Sequence, residues 1–276
     1  MVDKSRRYWK DRRLKKVVIT ITNNRGGVGK STTAQTLAIG LYQNNKKVLL
    51  IDLDPQCNTS GTFKVEKAPN NIYRAIKGEC DIKDAIYKTN YIDIISSSLD
   101  LSRAEDEFKQ GVYQYKMHKL IKEQIDKIKN DYDYIIIDTA PNLSLMTTNA
   151  IYSSDYVLIP MLADIYSIQG LDIINRQIQD IKEGTDNKRV KISGLLLTHY
   201  KAQTLLNQGL KDALNEIAER IDTKVYKNVI RDSIIFSDSQ ATNSVCLLKY
   251  PSHNATLDYV GFIKEFLKDM EDNKNE

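Results

Sequence analysis

The stretch Val17-Val18-Ile19-Thr20-Ile21-Thr22-Asn23-Asn24-Arg25-Gly26-Gly27-Val28-Gly29-Lys30-Ser31-Thr32-Thr33-Ala34-Gln35-Thr36-Leu37-Ala38 decides the fold. It opens as an apolar run suited to a buried strand and closes as the first turns of a helix, with a glycine-rich turn between them. Strand, glycine-rich turn and helix form the context of a phosphate-binding loop. Glycines let consecutive backbone N–H groups turn inward on phosphates, and the helix N-terminus adds partial positive charge. Lys30 would reach the β- and γ-phosphates, and the Ser31 hydroxyl would coordinate Mg²⁺. Arg25, Gly26, Gly27, Val28, Gly29, Lys30, Ser31 and Thr32 are therefore the candidate nucleotide-binding residues. A plain connecting turn would not require Gly-Lys-Ser at the mouth of the helix. The ordinary pattern G-x-x-x-x-G-K-[ST] is missed at one position, where Asn24 replaces its first glycine.

Two further apolar runs end in acids. Val48-Leu49-Leu50-Ile51 delivers Asp52-Leu53-Asp54-Pro55-Gln56-Cys57-Asn58, and Tyr134-Ile135-Ile136-Ile137 delivers Asp138-Thr139-Ala140-Pro141. Carboxylates at the C-terminal ends of parallel strands face the ligand crevice of an open α/β sheet. Asp54-Pro55 alone could be a turn that ends a strand, and Asp138 alone could cap the next helix. Their order after a phosphate loop favours metal and catalytic duty, with Asp138 in the position of a Walker B carboxylate.

Arg25-Gly26-Gly27-Val28-Gly29-Lys30-Ser31 resembles the deviant Walker A loop of the ParA/MinD ATPases, with Arg25 where that family has a signature lysine. Asp52 to Asn58 is similar to the D-x-D-P-Q-G-N segment of ParA and Soj proteins, with Cys57 in place of the glycine. Weaker matches follow in Val157-Leu158-Ile159-Pro160 with Asp164, Ser167, Gly170 and Leu171, and in Ile230-Arg231-Asp232-Ser233-Ile234 with Asp238. The resemblance spans about residues 16 to 268. It implies Asp54, Lys30 and Arg25 as catalytic residues and Ser31, Asp52 and Asp138 as the metal side, with Asp52 in the outer shell. It further implies Arg231 near the nucleotide base, ATP and Mg²⁺ as cofactors, and slow hydrolysis to ADP and phosphate. An ATP-dependent homodimer on non-specific DNA, stimulated by a ParB-like centromere-binding partner in DNA partitioning, completes the picture, at a cytoplasmic, nucleoid-associated location.

Length and patterning agree with that class. At 276 residues the chain is long enough for a large core,. Apolar runs alternate with helical patterns such as Met117, Leu120, Ile121, Ile125, Ile128 and Leu171, Ile174, Ile178, Ile181,. The expectation is an α/β, single-domain P-loop NTPase of deviant Walker A type, with a mostly parallel twisted sheet and helices on both faces. Its expected parts are a basic N-terminal arm at residues 1–16, an ATPase domain at 17–270 and a polar tail at 271–276. Cys57, Cys80 and Cys246 fit no metal-ligand spacing and suggest reduced thiols,. His118, His199 and His253 are too scattered for a metal or triad site. No apolar run has the roughly 18 residues of a spanning helix, and the N-terminus is too polar for a signal peptide.

Charge is concentrated at one end. Residues 1–16 hold eight basic side chains (Lys4, Arg6, Arg7, Lys10, Arg12, Arg13, Lys15, Lys16) against two acids, a net of +6. The whole chain carries +4, so residues 17–276 carry −2. Tyr8 and Trp9 lie among the basic residues, a mixture suited to sequence-independent contact with a phosphate backbone. A solvated leader would share the composition. The late part of the chain looks thinned in DNA contacts, since Gln203 and Ile235 stand where basic residues are expected; Lys201, Lys211, Lys224, Lys227, Arg231 and Lys249 remain as candidates.

Rival readings each lack a feature. A MinD-like positioning ATPase at a membrane would use Phe262, Ile263, Phe266, Leu267 and Met270 as an amphipathic anchor, but the flanking acids and bases carry no positive bias,. These residues suit a docked terminal helix instead. An iron–sulfur reductase needs paired cluster thiolates. A tyrosine autokinase needs a C-terminal tyrosine cluster, whereas the 16 tyrosines here are spread out. A slow or non-hydrolysing nucleotide-switched DNA-binding regulator would share the loop and differ in turnover.

Overall fold

Alternating side chains along the central strands bury opposite faces, and that alternation sets the layers. On the first strand, Val17, Ile19 and Ile21 enter one core and Val18 enters another. On the fifth, Tyr134 and Ile136 join the first core, and Ile135 and Ile137 the second. A strand apolar on both faces belongs inside a parallel sheet covered on each side by helices. The structure, a computed structural model, describes residues 16–108, 117–201 and 205–272.

Among the described residues, seven strands form one sheet: β1 (Val17–Ile21), β2 (Val48–Leu53), β3 (Ile86–Lys88), β4 (Asp93–Ile95), β5 (Tyr134–Thr139), β6 (Tyr156–Met161) and β7 (Lys191–Leu197). Their order is β3-β4-β2-β5-β1-β6-β7. Every pairing is parallel except that of the edge strand β3 with β4. The described helices are α1 (Lys30–Gln43), α2 (Asn58–Thr62), α3 (Ile72–Lys77), α4 (Ala104–Phe108), α5 (Leu120–Ile128), α6 (Leu145–Tyr152), α7 (Ile165–Gly184), α8 (Leu205–Arg220), α9 (Ile234–Ala241), α10 (Cys246–Lys249) and α11 (Asn254–Asp272). One face of the sheet is covered by α1, α9, α10 and α11. The other is covered by α3 to α6 and, toward β7, by α7 and α8. The expected α/β architecture holds. The apolar stripe Leu171, Ile174, Ile178 and Ile181 is the buried face of α7, while Met117 precedes α5 instead of belonging to it.

The last helix is docked. Tyr259, Phe262, Ile263, Phe266 and Met270 of α11 are at most 2% exposed. The same helix fastens the segment before α9 by polar contacts: Asp269 pairs with Lys224, Glu265 accepts from the Lys227 and Asn228 amides at 2.9 and 3.1 Å, and Asp258 grips Arg231. The apolar face proposed for a membrane anchor is therefore inside the core. Among the described residues no helix is long and apolar enough to cross a membrane. Close packing of α11 on α1 depends on Gly40, where an added Cβ would lie 2.2 Å from Ile263 Cδ1. Gly40→Ala is expected to destabilise the fold by about 1–3 kcal/mol, read as a lowered Tm; an unchanged Tm would show that Ile263 simply turns aside.

Candidate nucleotide site

All three sequence motifs lie at the C-terminal end of the parallel strands. The loop after β1 is riveted on both sides. Asn23 Nδ2 donates to the Pro160 carbonyl at 2.8 Å, its Oδ1 accepts from the Arg25 amide at 3.0 Å, and Thr198 Oγ1 donates to the Val28 carbonyl at 2.9 Å. Gly27 and Gly29 have φ of 74° and 79°, left-handed conformations that a side chain would penalise by about 1–2 kcal/mol. Lys30 is only 7% exposed, and its Nζ donates to the Arg25 carbonyl at 2.7 Å, folding the side chain back over the loop. Burial pulls the Lys30 pKa below the usual lysine range, against the opposing pull of Asp138 and Asp54. Gly26 and Thr32 complete the loop and first helical turn, and Gly27, Gly29 and Thr32 form one wall of a cleft of about 550 Å³.

Asp52 and Asp138 are in-register neighbours on β2 and β5, and both are fully buried. Asp52 spends its oxygens on the following loop: Oδ1 accepts from the Asp54 amide at 3.0 Å, and Oδ2 from the Ser60 amide and hydroxyl, each at 2.7 Å. Burial, then the neighbouring Asp138 charge, push its pKa up to about 7. Asp138 Oδ2 accepts from Thr59 Oγ1 at 2.7 Å, whereas among the described residues Oδ1 has no hydrogen-bond partner. Burial raises the Asp138 pKa to about 6, with Thr59 and Ser31 opposing the rise. Asp138 does not cap the next helix; Ser144 does. Asp54 is 6% exposed and closes its own turn by accepting from the Gln56 amide at 2.9 Å, so turn-making and a place in the crevice coexist. Cys57, where the resemblance has glycine, sits at φ 55°, a left-handed position that suits glycine.

A bare, buried carboxylate oxygen costs free energy unless something satisfies it. A hard divalent cation takes oxygen ligands and is usually shared with phosphates. Asp138 Oδ1 and the Ser31 hydroxyl fit that requirement; Asp52, both of whose oxygens already accept hydrogen bonds, fits a place behind them.

Arg25 is tethered within its own chain. Its guanidinium pairs with Asp164, with side-chain exposures of 41% and 31%. Asp164 also caps α7, accepting from the Ser167 amide at 2.8 Å. Burial works against the Asp164 charge, but the Ser167 amide and Arg25 hold its carboxyl below the usual range. The opposite wall of the cleft is formed by His199, Asp232, Ser233 and Ile234. His199 Nδ1 donates to the Asp232 carboxylate at 2.9 Å, with Lys201 Nζ 3.7 Å from its other oxygen. Arg231 does not line this cleft. It makes a two-pronged contact with Asp258 through Nε and Nη2, at 2.7 and 2.8 Å. Among the DNA-contact candidates, Lys201, Lys224, Arg231 and Lys249 each already face a carboxylate. Lys4, Arg6, Arg7, Lys10, Arg12 and Arg13 lie outside the described residues, as do Gln203 and residues 273–276 of the tail.

The family model for the AAA domain matches residues 16–192. The sporulation initiation inhibitor protein Soj of Bacillus subtilis is 33% identical over 252 residues, covering 90% of this chain and 97% of Soj. The chain belongs to the ParA/Soj family. The chromosome partitioning protein ParA of Caulobacter vibrioides is 30% identical and covers 84% of this chain and 86% of its own length. A putative plasmid partition protein of Borrelia burgdorferi, solved bound to AMPPNP, superposes with a TM-score of 0.73 at 30% identity, covering 94% of this chain and 100% of its own. Membership in the ParA/Soj family accounts for three strand-end motifs recurring in one order on one sheet.

Proposed function

We propose that this chain is a ParA-type partition ATPase that binds ATP with Mg²⁺ and hydrolyses it slowly. The observation that carries the reading is the convergence, at one end of the sheet, of a pinned glycine loop, a buried lysine and a carboxylate oxygen with no partner. On binding, the amides of Gly26 to Thr32 would cradle the phosphates, and Lys30 would exchange the Arg25 carbonyl for phosphate oxygen. Ser31 and Asp138 would hold the metal ion, with Asp52 behind them. When bound, Mg²⁺ neutralises charge on the β- and γ-phosphate oxygens. Asp54 would orient a water for in-line attack on the γ-phosphorus, with the bond to the β,γ-bridging oxygen breaking and ADP leaving with that oxygen. The cleft between Gly27 and Asp232 would take ribose and base.

Two such chains would close face to face around the nucleotides. Leu99, Leu143, Ile165 and Tyr166 follow the C-terminal ends of β4, β5 and β6, Ile234 lines the cleft, and all five are 37% to 82% exposed. Exposed apolar groups gathered near a site mark an association surface. Arg25 stands in the same region and would reach the partner's phosphates. ATP would thereby select the closed dimer, and hydrolysis would remove the contacts that assemble it. The dimer would hold non-specific DNA at the nucleoid, and a ParB-like centromere-binding partner would stimulate release. ATP-dependent DNA binding by the wild type and Lys30→Ala over a salt series tests the reading; equal binding by both would overturn it.

With Lys201, Lys224, Arg231 and Lys249 already paired, the basic arm is the main candidate for DNA contact. Removing residues 1–16 should weaken DNA binding and flatten its salt dependence, leaving nucleotide-driven dimerisation intact. Each lost phosphate contact lowers the log–log slope by about 0.9; Lys16 already faces Asp133, so the arm's seven other cations set a ceiling of about 6,. An unchanged slope would assign the arm to another partner.

A further inference from the structure

Asp138 is held by a relay that reaches back to the helix of the phosphate loop. Gln35 Nε2 donates to Thr59 Oγ1 at 2.9 Å, and Thr59 Oγ1 donates to Asp138 Oδ2 at 2.7 Å. Gln35, Thr59 and Asp138 are 5%, 0% and 0% exposed. The three residues come from α1, α2 and β5, so the relay joins three elements of the site. Gln35 is four residues after Ser31 on α1, which places both on one helix face,. A hydroxyl has one proton and two lone pairs. With the Gln35 amide on a lone pair, the Thr59 proton is directed at Asp138.

The next residue repeats the arrangement. Ser60 gives its amide and hydroxyl to Asp52, while its oxygen accepts from the Ser97 amide at 2.9 Å. The short helix α2 is thus a clip across two adjacent buried carboxylates, and it closes the loop that carries Asp54. Asp138 consequently keeps one oxygen engaged and presents the other, unpartnered, as a fixed acceptor.

The geometry points to Thr59, oriented by Gln35, as a positioning residue that presets Asp138 for the divalent cation of the Mg–nucleotide complex. This rests on the reading of Asp138 as the metal-side carboxylate. Removing an orienting group behind a metal ligand typically weakens metal affinity by about 10- to 100-fold. The direction of the relay also carries a prediction. Losing the Gln35 amide leaves the Thr59 hydroxyl free to rotate, and the effect should be smaller, about 2- to 10-fold.

The test measures binding of a fluorescent, non-hydrolysable ATP analogue to the full chain, without metal and across an Mg²⁺ titration. Thr59→Val keeps the shape and removes the hydroxyl; it should leave metal-free affinity within about twofold and raise the Mg²⁺ half-saturation about 10- to 100-fold. Thr59→Ser should restore the wild-type titration to within about threefold, since the hydroxyl returns. Gln35→Met should give the smaller shift in the same direction, and it keeps the proposal testable if Thr59→Val does not fold. An unshifted Mg²⁺ titration in both Thr59→Val and Gln35→Met would overturn the proposal. So would an equal loss of metal-free binding that serine fails to rescue, the signature of a merely structural residue. Asp138→Asn separates the two levels: if it also leaves the Mg²⁺ titration unmoved, the assignment of Asp138 itself fails, whereas loss in Asp138→Asn alone removes only the role of Thr59.

Discussion

Asp54→Ala should bind ATP and dimerise normally while losing about 100- to 10,000-fold in turnover. Positioning of a water matters in the transition state, whereas phosphate binding belongs to the loop after β1. The structure separates the two tasks spatially. The loop is fixed by Asn23 and Thr198 and Lys30 by the Arg25 carbonyl, and Asp54 is fixed by its own turn and by Asp52. Removing the Asp54 carboxylate therefore leaves the hydrogen bonds that pin the loop in place and takes away only one of the two carboxylate charges acting on Lys30. Single-turnover phosphate release and equilibrium ATP binding measured together check the claim. A drop in ATP affinity matching that of Lys30→Ala would reassign Asp54 to ground-state binding.

Arg25→Ala should abolish the ATP-dependent dimer at micromolar protein while leaving nucleotide binding by the single chain in place. In a twofold dimer each contact occurs twice. A charge-assisted hydrogen bond contributes about 1.5–3 kcal/mol, so two copies amount to about 3–6 kcal/mol, or roughly 100- to 10,000-fold in dimer affinity. Arg25→Lys should retain the dimer with altered turnover, because lysine keeps the charge and loses the planar fork. The pairing of Arg25 with Asp164 adds a second expectation. Crossing to another subunit exchanges one carboxylate for phosphate, so Asp164→Asn should make the dimer form more readily, provided the α7 cap survives. Sedimentation velocity with ATP decides between these outcomes; an undiminished dimer in Arg25→Ala would return Arg25 to an intrachain role.

What could be read from the sequence was what neighbours in the chain determine. β1, β2 and β5 show as apolar runs because each is buried on both faces, and the glycine loop shows because left-handed backbone at Gly27 and Gly29 restricts residue choice. Asp52, Asp54 and Asp138 show because they end those runs. The remainder of the site is made by contacts between distant segments. Thr59 meets Asp138 across 79 residues, Arg25 meets Asp164 across 139, and Thr198 meets Val28 across 170. No local pattern marks such pairs. His199 looked like one of three scattered histidines, yet β7 delivers it to the cleft beside Asp232. Arg231 shows the same limit: its motif context says nothing of Asp258, 27 residues on in α11, which pairs with the guanidinium.

β1 carries one more consequence. The chain enters the sheet at Val17, directly after the basic arm, and leaves at Ile21 toward the glycine loop. The four steps of this five-residue strand put about 13 Å between the two ends,. The basic segment joins the fold at the foot of the sheet, away from the glycine loop at its crown, so direct sensing of phosphate chemistry is not expected of it. Nucleotide state would instead set valence. On the proposed reading, one chain would bring a single polycation to DNA and a closed pair two, the second engaging at the high effective concentration fixed by the first. Hydrolysis would then loosen DNA without altering any arm, by returning an avid two-handed grip to two weak single ones.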